Sequence, residues 1–394
     1  MDWIASLPWL LILSSVAKTL FLIFGVVLPL VSYTVYAERR VSALIQDRLG
    51  PNRTSFPTSL LGFKKDLQLP LGGLGQPIAD AMKFMLKEEF TPAHVNKFYF
   101  WMAPCLAMVP ALATLAVIPF GSFLFGHKMV VADVNVGILY VFAVASIGVY
   151  GIVLAGWASN SKYPFFGSIR SSSQMISYEL ALGLSAVPIL MIFGNLNLSD
   201  QIMYQAREGW LLLPFTNIDL AIRGLIPWSQ VLTSTELLLW LPIVLSFIVF
   251  TIAMFAETNR LPFDLPESET ELVAGYHTEY SAMKFALFFL GEYAAMITGC
   301  SLIVVLFLGG WHLPFLPLNS LEGSTGFWGV ILGLIHITIF FGKVSLLLGF
   351  FIWVRWTLPR FRYDQLMKLG WLYLFEIALV NIFITAAILA FTTK

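Results

Sequence analysis

A chain of 394 residues that is 58% hydrophobic and only 12% charged, with 34 Phe, 12 Trp and 13 Tyr, cannot hide its apolar surface in a water-soluble fold of this size. Its 23 Lys and Arg balance its 23 Asp and Glu, so there is no net basic footprint for nucleic acid, which is not an expected partner. Composition predicts an integral membrane protein, and two cysteines, Cys105 and Cys300, provide neither a disulfide framework nor a CxxC metal motif.

Crossing a ~30 Å hydrocarbon core takes roughly 20 apolar residues per helix, and backbone groups in lipid must be satisfied within the segment. Runs of that kind lie at about 12–37, 98–120, 137–157, 175–194, 237–256, 282–308, 329–354 and 370–391. The expected fold is therefore an all-α polytopic membrane protein with eight transmembrane helices, read as one membrane domain over 1–394. Asp2 and the lack of a basic stretch before the first run argue against a cleaved signal peptide.

Alternating crossings put 38–97, 158–174, 257–281 and 355–369 on one side, and these hold most of the Lys and Arg. The other side has only Lys128, Arg207, Arg223 and Lys394. The positive-inside rule makes the basic side cytoplasmic and puts both termini on the outer, periplasmic-type side.

Within 38–97, "LGQPIADAMKFMLKEEF" reads as a surface-lying amphipathic helix, with Ile78, Met82, Met85 and Leu86 on one face and Asp80, Lys83 and Lys87 wet. A structured loop covering helix ends is the alternative. The outer stretch 195–236 predicts a short interfacial helix anchored by Trp210 and Trp228.

Ionisable groups inside a span are costly and are functional candidates by default. Glu292 lies ~16 Å into the sixth run at 1.5 Å per residue, with Lys343 comparably deep in the seventh. Glu179 lies about one turn into the fourth run and Glu376 two turns into the eighth. A buried ion pair, for instance Glu292 with Lys343, is the structural alternative.

The segment "FAETNRLPFDLPESETELVAGYHTEYS" adds Glu257, Asp264, Glu267, Glu269 and Glu271 between two apolar runs. Carboxylates crowded in a partly dehydrated region repel one another, which suits such a cluster to exchange protons. A solvated acidic loop is the alternative, against which stand the apolar and Pro-fixed neighbours Leu261, Pro262, Phe263, Leu265 and Pro266. Arg40 and Arg53 read as anchoring charge, whereas Glu38 beside them does not. The five His show no metal-ligand spacing, and no phosphate loop or nucleophile motif is present.

Five blocks, "AERRVSALIQDRLGPNR", "GQPIADAMKFMLKEEFTPA", "LAGWASNSKYPFFGSIRSSSQMISYE", "AETNRLPFDLPESETELVAGYHTEYSAMKFALFFLGEY" and "TLPRFRYDQLMKLGW", resemble the H-subunit family of respiratory complex I, in that family's order. The resemblance implies a membrane subunit of a proton-pumping NADH:quinone oxidoreductase that is not catalytic alone. It carries no prosthetic group; FMN and iron-sulfur clusters lie on partner subunits, and quinone is the substrate.

By family position, Glu38, Arg39, Asp80, Lys83, Arg260 and Asp264 are expected on the polar wall of the quinone tunnel. Glu179, Glu257, Glu267, Glu269, Glu271 and Glu292 match the acidic path that couples quinone reduction to proton translocation. Implied partners are the quinone-site peripheral subunits, the small antiporter-side membrane subunits and the lipid bilayer, in a cell inner membrane rather than a mitochondrial one.

The stretch 54–73 and the outer loop 195–236 are longer than the family pattern, and Glu376 has no family role. Two alternatives stay open from the residues. One is the equivalent subunit of a membrane-bound hydrogenase or a ferredoxin- or F420-linked complex, which a copurifying NADH-binding module would exclude. The other is a stand-alone transporter, against which the lack of internal repeats counts.

Overall fold

The structure, a computed structural model, describes residues 9–54, 73–124, 127–213, 234–265, 272–314 and 327–392. Eight helices among them are long and apolar enough to cross a membrane. They are α1 (Ser15–Ile45), α3 (Lys97–Val117), α4 (Gly137–Ala158), α5 (Lys162–Phe193), α7 (Leu238–Glu257), α8 (Ala282–Phe307), α9 (Phe327–Thr357) and α10 (Tyr363–Thr392). Two shorter helices, α2 (Gln76–Leu86) and α6 (Leu198–Glu208), lie between spans, with a small hairpin of β1 (Gly121–Leu124) and β2 (His127–Met129).

Helix α8 is the hub. From Thr298 to Phe307 every residue is buried, and the helix packs against α3, α9, α7 and α1. Helices α3 and α4 touch closely because Gly151 has no side chain: a Cβ there would stand 2.6 Å from the Ala107 nitrogen. Pro104, Pro110 and Pro242 lie inside spans, where such residues are tolerated. The Asn381 amide donates to the Pro242 carbonyl at 2.9 Å and ties α10 to α7.

Three expectations are corrected. The fourth run begins at Lys162 rather than 175, so 158–174 is not a loop and Glu179 sits mid-helix. The serines that lower the apolar average there bond back to the preceding turn, Ser172 and Ser173 both to the Ile169 carbonyl, which satisfies their hydroxyls within the helix.

Helix α2 exists, but its faces are divided differently. Asp80 pairs with Arg39 of α1 and Phe84 meets the Phe285 ring at 6.3 Å, while Met82, Met85 and Leu86 are exposed. Positions 80 and 84 lie one turn apart and share the chain-facing stripe, so the apolar residues are left to the bilayer or a neighbour.

Trp210 is not an interfacial anchor. It is buried, with its ring 4.2 Å from the Lys343 ammonium; Trp228 lies outside the described residues. The helix preceding Trp210, α6, is present, its first turn capped by the Asn197 side chain, which accepts from the Ser199 and Asp200 amides. Beside it, burial would raise Asp133, yet the Lys128 ammonium and the Asn197 and Ser199 donors hold its carboxyl below the usual range.

Candidate functional site

One end of the bundle collects the termini of α1, α7, α8 and α9 with the segment after α7. That segment is pinned in place. The Gln174 amide donates to the carbonyls of Ala256 (2.8 Å) and Phe263 (2.7 Å) and to the Asn259 side chain (3.2 Å), and the Phe361 amide donates to the Pro262 carbonyl. The Tyr178 hydroxyl closes the other flank on the Leu366 carbonyl at 2.9 Å. Residues 258–265 are thus a packed wall, not a free loop, as their proline and leucine content predicts.

On that wall lies a run of alternating charge. The Arg355 guanidinium of α9 pairs with the Glu38 carboxylate of α1, which also accepts from the Tyr293 hydroxyl of α8 at 2.5 Å. The Arg260 guanidinium stands 4.2 Å from the centroid of the Tyr293 ring and 3.5 Å from Glu292 Oε2. Glu292 Oε1 accepts from the Tyr276 hydroxyl at 2.6 Å. Asp264 pairs with Arg360 at 3.0 Å. Such a set is stable only because each desolvated charge meets an opposite charge or a hydroxyl.

Glu292 also opens onto a cavity of about 90 Å³ between α3, α4, α5, α7 and α8, whose lining includes Glu179, Glu257, Thr114 and Thr298. By the ~10–15 Å³ needed per water, it has room for several. The Glu257 Oε2 atom is buried without a hydrogen-bond partner, and Glu179 lines the same cavity. Three carboxylates from three helices therefore face one small cavity whose remaining lining is mostly apolar.

Of the expected quinone-wall residues, Glu38, Arg260 and Asp264 belong to the charged run. Arg39 and Asp80 form an exposed pair at 2.7 Å that ties α1 to α2, the Gln76 amide completing Asp80 at 3.0 Å. Lys83 is exposed on α2 beside its neighbour Phe84. Of the expected proton path, Glu179, Glu257 and Glu292 are together; Glu267, Glu269 and Glu271 lie outside the described residues.

The pairing of Glu292 with Lys343 is overturned. Lys343 donates instead to the carbonyls of Leu308 (2.6 Å), Gly310 (2.8 Å) and His312 (2.6 Å), where α8 ends. That end is sixteen residues, or ~24 Å of helix, from Glu292. Sequence reasoning also missed Tyr276, Tyr293, Arg355 and Arg360. Tyr293 directly follows Glu292, but neutral aromatic residues are common in spans, and the two arginines looked like ordinary basic-side charge.

His277 lies beside Tyr276, its ring 5.2 Å from Phe285 and 6.0 Å from Phe289. Burial pushes its pKa down to about 4 from 6.5. The unfolded chain then binds the proton more readily, so this contribution is complete above pH 6.5 and fades as pH falls toward 4. Between pH 7 and pH 5 it should weaken stability by about 2 kcal/mol. Thermal unfolding of the His277→Phe variant against pH should lack that increment; an unchanged pH profile would refute the assignment.

The sequence profile of the family described as NADH dehydrogenase matches residues 17–386. The chain is 46% identical over 373 residues to an NADH-quinone oxidoreductase H-subunit of Geobacter metallireducens, covering 93% of this chain and 94% of that protein. It is 42% identical over 369 residues to an NADH-quinone oxidoreductase H-subunit of Cytophaga hutchinsonii, with the same coverage of each. With NADH-quinone oxidoreductase subunit 8 of Rhodothermus marinus the identity is 43% over 374 residues, 93% of this chain and 94% of the other.

Proposed function

The chain belongs to the NADH dehydrogenase family as an H-type membrane subunit of NADH-quinone oxidoreductase, not catalytic alone, and from that premise we propose that it guides quinone and couples its reduction to proton movement. Quinone enters along the basic end of the bundle, past Glu38, Arg39, Asp80, Lys83, Arg260 and Asp264. An isoprenoid tail needs an apolar, aromatic slot with a few polar groups to orient the headgroup.

Reduction takes two electrons from a partner's iron-sulfur cluster and two protons: Q + 2e⁻ + 2H⁺ → QH₂. The clusters belong to partner subunits, since two cysteines on different helices cannot supply the four thiolates of a cluster, and FMN is placed on a partner by the family resemblance.

The observation that carries the reading is the continuity of the charged run with the acidic cavity. Glu38, Tyr293, Arg260, Glu292 and Tyr276 form consecutive contacts that end at the space faced by Glu257 and Glu179. Negative charge arriving with the electrons perturbs the nearest member, and each neighbour re-equilibrates in turn. Protons then move toward the membrane subunits on the antiporter side. The basic end faces the cytoplasm, both termini face outward, and the membrane is a bacterial cytoplasmic membrane.

Glu267, Glu269 and Glu271, which by family position belong to the same acidic path, are its natural test. Changing all three to Gln should depress NADH:quinone turnover and pumping by about tenfold or more while leaving NADH oxidation by an artificial acceptor intact, the scale of losing positioned proton-transfer groups. Full pumping in the triple variant would sink the coupling role.

A further inference from the structure

Helix α10 carries a carboxyl group, Glu376, on the face turned away from the bundle. Leu374, Ala378, Asn381 and Thr385 recur at helical spacing and are buried against the bundle. Glu376, Val380, Phe383 and Ala387 recur at the same spacing on the opposite stripe, and all are exposed. Among the described residues no hydrogen bond or ion pair reaches Glu376. Lys368, the nearest preceding charge on the helix, is eight residues or ~12 Å away, beyond the reach of a short carboxylate side chain.

Two further observations mark the stripe. It begins just after a π-helical turn, Leu369–Leu374, a departure that is rare in helices and frequent at functional positions. This turn lets Gly370 sit against Ser177 and Tyr178 of α5, where a Cβ would meet both within 3.2 Å, and so fixes which face of α10 points away. The stripe is also continuous with the exposed Tyr373 and Leu372, giving a long apolar seam interrupted by one acid.

We propose that this stripe is the docking surface for a transmembrane helix of another subunit, and that the partner helix bears a Lys, Arg or His at the depth of Glu376. The occupant follows from charge complementarity. Lipid offers a carboxyl group no polar partner, whereas intramembrane ionisable residues are kept where they pair, with apolar packing on either side. The inference rests on the chain being one subunit of a multisubunit complex and is independent of the proton path.

The test places a photoreactive amino acid at Val380 or Phe383 of the otherwise unaltered chain in the intact complex, in native membranes, and identifies the adducts by mass spectrometry. Both positions should label one transmembrane segment of a single other subunit, and that segment should contain a basic residue. The Glu376→Lys variant should then lower recovery of this chain in the complex by about tenfold, an equilibrium factor of ~1.4 kcal/mol, and changing the partner's basic residue to Glu should restore it. Adducts to lipid alone, to a second copy of this chain or to a helix without a basic residue would overturn the proposal. Unchanged recovery of Glu376→Lys would do the same. Because the labelling uses the native Glu376, it decides the matter even if the charge reversal fails to fold.

Discussion

Replacing Glu257 with Gln should abolish most NADH:quinone turnover while leaving the fold intact. The two halves of this expectation have separate causes. Glu257 Oε2 has no hydrogen-bond partner and no cation pairs with the side chain among the described residues, so the isosteric amide removes little that holds the bundle together. It does remove a group able to gain and lose a proton at the cavity shared with Glu179 and Glu292. Loss of one positioned proton-transfer group typically lowers a rate ~10²–10⁴-fold.

NADH oxidation by an artificial acceptor that takes electrons upstream of quinone should be unchanged, as should the thermal midpoint of the complex. Near-normal quinone turnover in Glu257→Gln would remove this residue from the path. The same change at Glu292 is a less clean experiment, because it also strips Arg260 of a carboxylate and Tyr276 of its acceptor. There Glu292→Asp, which keeps the charge, separates the electrostatic role from proton exchange.

The second large effect is expected at Lys343 and concerns stability. Helix α8 ends inside the protein, and its terminal carbonyls need donors. Gln205 supplies the Val305 and Leu306 carbonyls and accepts from the Gly309 amide. Lys343 supplies Leu308, Gly310 and His312, with the Trp210 ring 4.2 Å from its ammonium.

Gly309 and Gly310 turn the chain there with φ of 66° and 55°, conformations that favour glycine. Lys343→Met would leave three carbonyls without this donor and the negative end of α8 without its cation. A loss on the order of 3–5 kcal/mol is expected, read as a fall in the thermal midpoint and in the yield of assembled complex. Lys343→Arg, which keeps charge and donors, should recover part of it. A Met variant as stable as the parent would show that the capping carries no weight.

The eight spans were legible because lipid imposes a requirement on composition that local sequence satisfies by itself. Boundaries were less so. The serine-rich start of α5 lowers the apolar average, and the hydroxyls of Ser172 and Ser173 are satisfied by the Ile169 carbonyl of the same helix, a partner that composition does not reveal. The buried acids Glu179, Glu257 and Glu292 stood out as charges in apolar runs, yet their common cavity could not be read from positions more than thirty residues apart. Nor could their partners. Glu38 meets Arg355 across 317 residues and Tyr293 across 255, separations at which sequence spacing carries no geometric information.

The sequence by itself determined that the chain crosses a membrane eight times, which end is basic, and which acids sit where lipid would make them costly. Tertiary structure alone decided what each charge meets: that Lys343 caps α8 rather than pairing with Glu292, that Arg260 bridges Tyr293 and Glu292, and that Glu376 points out of the bundle. The reason is physical. Desolvation is set by the residue type and its span, both local, whereas compensation depends on which helices pack side by side, a property of the whole chain.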